Sequence, residues 1–166
     1  MIPTYTNQIK REIIESFLGS NLVVALVNYP NAGLSDTPTT QELAARKNFG
    51  MTNVFNTEIG RTNMNGYARQ IVEDLSIETL STLTKAEVEV SFTAEGGNFD
   101  PFTHIVLIKD ADLSNADPAT NGNNRGSTVG SVIYIEPVNN QSQPLILTNN
   151  LTFNYSFSLN IASQLL

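Results

Sequence analysis

With 166 residues, the chain is long enough for one domain with its own hydrophobic core. It has no cysteine, which excludes disulfide staples and thiolate zinc sites, and nine basic against sixteen acidic residues leave a net charge of −7. That sign is wrong for tracking phosphates, so nucleic acid and anionic membrane surfaces are excluded as partners.

Only 15% of the residues are charged, so the polar character is hydroxyl and amide rather than ionic. No stretch approaches the ~18 consecutive apolar residues of a membrane span. Residues 1–8 are polar, and the first apolar run, 22–27, is too short and too late for a signal peptide. The expectation is a soluble protein made in the cytosol.

In chain order, residues 6–18 read as an amphipathic helix. Ile9, Ile13, Ile14, Phe17 and Leu18 share one face, Lys10, Arg11, Glu12 and Glu15 the other, with Thr6 to cap the start and Gly19 the end. Residues 22–27 are apolar throughout, as in a strand covered on both sides. From 28 to 65 the pattern weakens into a surface excursion. Thr39 and Glu42 there form a capping box for a short helix through about Asn48, which Gly50 would end. Strands resume at 67–72, 77–80 fits strand or turn, and 87–92 alternates with Val88, Val90 and Phe92 inward. A turn on Gly96-Gly97 leads to the apolar run 104–108, then a long polar loop over 109–128. Next come a strand over 129–136 stopped by Pro137, a short run at 145–147, and the final strand 151–161. In that last segment every odd residue is apolar and every even one small and polar. Eleven such residues would reach ~37 Å with one face buried. The expected fold is mainly β: an antiparallel β-sandwich, jelly-roll or immunoglobulin-like, with an N-terminal helix, one domain over 1–166 and the main sandwich in 66–161.

No catalytic, cofactor-binding or metal-binding residues are read from the pattern. His104 is the chain's one histidine and opens an apolar strand, which suits a hydrogen-bonded core-edge group. Asp110-Ala111-Asp112 resembles the opening of a calcium loop but has Asn115 and Asn121 where Gly and Glu belong. A calcium ion held by the 109–128 loop stays open. Glu87 and Glu89 read as solubilising charges on a wet strand face. Phe153, Tyr155 and Phe157 fall in one row, a candidate subunit interface.

Asn65-Gly66-Tyr67-Ala68-Arg69-Gln70 carries a Gly-Tyr-Ala-Arg-Gln signature. It resembles that of a family of short tailed-phage structural proteins, the tail-fibre-like proteins. The order of elements is similar too: a helix closed by Gly, a first strand, the signature, an apolar strand running into Asp110-Ala111, a Gly/Asn loop and a last alternating strand. Residues 31–64 are longer and more polar than that pattern, and Phe102-Thr103 stands where a Trp is common. The resemblance implies a non-enzymatic virion protein of tail-fibre or adaptor type, made in the host cytoplasm, which forms a homo-oligomer and docks on other phage structural proteins. Capsid decoration is the alternative within that class. A carbohydrate-binding module reaching host-surface glycans through the 94–102 and 109–128 loops is the alternative outside it. The interface residues expected are Ile9, Ile13 and Phe17 on the helix, Tyr67 and Arg69 in the signature, and Phe153, Tyr155 and Phe157. Subunit contacts are also expected from the 28–65 excursion. Gly66 is expected to permit positive φ or close backbone approach, and Arg69 to pair with Asp110 or Asp112.

Overall fold

The computed structural model describes residues 4, 6–62, 64–73, 75–113, 127–138 and 143–162. Helix α1 (Asn7–Leu18) starts where the Thr6 hydroxyl accepts the Ile9 N–H, and it ends at Gly19, whose φ of 65° suits a residue without Cβ. Strand β1 (Val23–Val27) follows. The 28–65 segment then folds as a single 3-10 turn at Pro30–Ala32 and two helices, α2 (Thr40–Lys47) and α3 (Met51–Thr57). The Thr39–Glu42 capping box opens α2 as expected. The helix ends at its C-cap Asn48, about where expected, but Gly50 is not its terminator: it is the N-cap of α3, an element the sequence pattern does not announce.

The remaining elements are β2 (Gln70–Ile71), β3 (Ser76–Thr79), β4 (Leu83–Thr93), β5 (His104–Lys109), β6 (Ser131–Pro137) and β7 (Thr152–Ala162). They build two antiparallel sheets, ordered β2-β1-β5-β6 and β3-β4-β7, so the chain is mainly β with an N-terminal helix. The strand expected over 67–72 shrinks to Gln70–Ile71, and the run at 145–147 makes one isolated bridge, Leu145 to Phe102. Pro137 does not stop β6 but is its last residue. It sits on the sheet's edge among the described residues, where a missing N–H breaks no ladder bond.

One core lies between the sheets. Val24, Leu26, Ile105 and Leu107 enter it from the four-stranded sheet, and Val88, Val90, Phe92 and Tyr155 from the three-stranded one. β4 and β7 pair over eleven residues, whereas β1 has five and β5 six. The shorter sheet cannot cover that whole inner face. Helix α1 packs against β3, β4 and β7, with Ile14 and Leu18 in the same core. A second cluster fills the other side of β1 and β5, where Val23, Ala25, Val27, Val106 and Ile108 meet Phe49 and Val54. The 28–65 segment is therefore a covering layer of the four-stranded sheet rather than a strip lying over the surface. The apolar β1 and β5 require that layer, because both of their faces must be kept from water.

Candidate interaction surfaces

Helix α1 is turned by about one residue from the orientation its apolar stripe predicts. Its buried row is Lys10, Ile14 and Leu18, and Lys10 is only 1% exposed. Its outer row is Ile9, Ile13 and Phe17, which are 42%, 42% and 39% exposed. Adjacent residues stand about 100° apart on a helix, so these two i, i+4, i+8 rows are neighbours. Lys10 was expected on the wet face and instead lies inside. The three candidate contact residues do stand on the surface together.

Tyr67 and Arg69 do not. They are 2% and 5% exposed, buried within one chain, which removes both from any subunit interface. The signature begins at Gly66, with φ at 82°, where an added Cβ would come within 3.1 Å of the Thr93 carbonyl oxygen. Both liberties expected of this glycine are used there. Beyond it, Arg69 grips Glu58 with two prongs, Nε to Oε1 and Nη2 to Oε2, both at 2.8 Å. Arg69 Nη1 also donates to the Ser127 carbonyl at 3.1 Å. The Tyr67 hydroxyl donates to Glu58 Oε1 at 2.9 Å and accepts the Leu26 N–H at 3.1 Å. Burial, then the Glu58 charge, pushes the Tyr67 hydroxyl well above the usual tyrosine range, so it stays a donor.

The carboxylate that receives Arg69 is thus Glu58, from the covering layer, and not Asp110. Asp110 Oδ1 instead takes the Ser20 N–H and hydroxyl, which hold its carboxyl below the ordinary range. Glu58 is delivered by backbone pairing at the end of β1. The Asn28 N–H donates to the Thr57 carbonyl, and the Ile59 N–H to the Leu26 carbonyl. Sequence reasoning missed Glu58. The available signal was arithmetic: between 28 and 65 the only acidic residues are Asp36, Glu42 and Glu58, and Glu42 is committed to its cap.

The β7 row lies partly inside. Tyr155 is buried, while Phe153 and Phe157 are half-buried against the core, so the row first serves its own chain. Phe153 meets Phe102 edge-on, and Phe157 meets Tyr134 with ring centroids 4.4 Å apart. Next to that contact, the Tyr134 hydroxyl donates to Glu136 at 2.6 Å. Burial, reinforced by Glu136, raises both Tyr134 and Tyr155 above the usual tyrosine range. On the outer face, Ser91 bonds to Asn154 and Thr93 to Thr152 across the strands.

His104 is fully buried. Its Nε2 lies 2.9 Å from the Gly33 carbonyl, which can only accept, so the proton is on Nε2 and Nδ1 accepts from the Thr103 hydroxyl at 2.8 Å. Burial lowers its pKa to about 4. It holds the covering layer to β5 through Gly33, and among the described residues no carboxylate hydrogen-bonds its ring. Among the described residues, no group of three His, Asp or Glu side chains could hold a metal ion, and no helix is long and apolar enough to cross a membrane. Most of the loop raised for calcium, 114–126, lies outside the described residues. In the 94–102 loop, Phe99 and Phe102 are both buried, so neither ring is available to stack on a sugar. An open depression of about 540 Å³ on the outer face of β4 and β7, lined by Glu89, Ser91, Asn154 and Ser156, brings together one carboxylate and three neutral groups.

No protein-family model, curated protein or solved structure matches the chain.

Proposed function

We propose that the protein is a non-enzymatic structural subunit of a tailed-phage virion, of tail-fibre or adaptor type, which self-associates and docks on other particle proteins. The Gly66-Tyr67-Ala68-Arg69-Gln70 resemblance supports the class, and the buried roles of Tyr67 and Arg69 suit a signature that maintains a fold. The single observation that carries the reading is α1. A helix that buries Lys10 and leaves Ile9, Ile13 and Phe17 in water is arranged for a partner to cover. Covering what remains exposed of those three side chains would contribute on the order of 3 kcal/mol per subunit. Work done in this way depends on surface burial and needs no reacting group.

The test is location. Particles purified through a density gradient should carry the protein, and epitope-labelled copies should appear on the tail in electron micrographs. Label on the head would move the assignment to capsid decoration. A protein that never co-purifies with particles overturns the reading.

A further inference from the structure

Among the described residues each sheet ends in two strands paired on one side only, and the four edges are not treated alike. An open edge presents unpaired N–H and C=O groups that invite another strand, so edges are normally kept short, charged, bulged or capped by Pro. Three edges here follow that rule. β2 has two residues. β3 has four, including Glu78, which is paired with Lys85. β6 is interrupted by a register shift opposite Leu107 and Ile108, and it ends in Glu136-Pro137. β7 has none of these protections. It runs for eleven residues without a charge, a Pro or a register shift, and among the described residues it pairs only with β4.

We infer that β7 is the strand through which two copies of this chain join, antiparallel about a two-fold axis, so that the three-stranded sheet continues into its mate. The second copy fits for reasons of charge. Two subunits of net charge −7 repel over most of their surfaces, whereas β7 against β7 places no carboxylate opposite another. Its exposed row, Thr152, Asn154, Ser156, Ser158 and Asn160, consists of groups that both donate and accept, so it complements itself under a two-fold. Phe153 and Phe157, half-buried in the single chain, lie on the opposite face of the same edge and would meet the equivalent row of the mate. β6 stands beside β7 through the Tyr134–Phe157 contact, so the approach that pairs β7 also brings the second sheet near its counterpart.

The inference rests on the self-association in the proposed function, not on the virion assignment, and one set of variants separates the two. Ser156→Lys/Ser158→Lys places two charges on the edge strand at exposed positions, where the fold tolerates them. Glu89→Lys/Ser91→Lys places lysines on the same outer face but on the interior strand β4. Sedimentation equilibrium should give an oligomeric wild type, a mass halved by the β7 pair, and no change from the β4 pair, with circular dichroism preserved in all three. In the cysteine-free chain, Ser156→Cys mixed with Ser158→Cys should form a disulfide-linked dimer on oxidation. An oligomer insensitive to the β7 lysines, without cross-linking, overturns the edge and leaves self-association standing. A wild type that is monomeric at every concentration overturns both.

Discussion

The two sheets solve opposite problems. β1 is buried along its whole length and β5 is buried up to its last residue, so the four-stranded sheet lies between two layers, the core on one side and the 28–65 segment on the other. β4 and β7 alternate, with one face in the core and one in water, the wet face held by Ser91–Asn154, Thr93–Thr152 and the Lys85–Glu87 ion pair. A strand that is apolar throughout obliges the chain to supply a second cover. An alternating strand needs only one, and leaves its outer face and its edge available to others.

This contrast can be broken most sharply by cavities. Ile105→Ala faces the shared core and Ile108→Ala the covering layer, and each should cost about 2–5 kcal/mol in urea denaturation. On β4 the cost should depend on parity: about 3–5 kcal/mol for Phe92→Ala and under about 0.5 for its neighbour Ser91→Ala. Equal losses at positions 91 and 92 would refute the one-sided assignment. The clasp between layers comes next. Arg69→Met leaves Glu58 charged and buried and should cost about 3–5 kcal/mol, while the Arg69→Met/Glu58→Leu double variant should recover most of that loss. Arg69→Lys, which cannot make the two-pronged contact, should fall between wild type and Arg69→Met.

A smaller effect follows from His104. The unfolded chain takes up a proton near pH 6.5, but the folded one only near pH 4. The contribution of the neutral ring is therefore complete above pH 6.5 and is lost as the pH falls through that window. The loss amounts to up to about 3 kcal/mol. His104→Gln should flatten stability between pH 6.5 and 4 relative to wild type. An unchanged slope would mean that the ring already protonates in the folded state. Smallest of the set, Thr39→Ala removes the α2 cap and should cost about 1 kcal/mol.

Legibility followed the same division. Alternation placed the 87–92 part of β4 and the inward residues of β7 from Phe153 onward, because a period of two is read directly from side-chain direction. It missed the first four residues of β4 and counted Leu151, which stands before β7 and is 56% exposed, as inward. The apolar run of β1 announced two covered faces but not what covers the second. That layer is Asn- and Thr-rich and contributes through scattered anchors such as Phe49 and Val54, which have no period to detect. The Arg69–Glu58 clasp was illegible for a related reason: its partners lie eleven residues apart on segments outside the regular strands, and only the turn of the chain after α3 brings them together. On α1 the capping residues were right and the facing was off by one position. A lysine such as Lys10 can lie on either side of the stripe, and the sheet beneath selects the rotation.

The central claim is that the faces this chain leaves apolar are closed by company. Sedimentation equilibrium of the intact protein against its Ile13→Glu variant tests it most directly, since Ile13 is exposed on α1 and its replacement should not disturb the fold. The account predicts an oligomeric wild type and a lower mass for Ile13→Glu, with helical and strand signals unchanged. Identical monomer masses for both, up to the highest concentration reached, would contradict it.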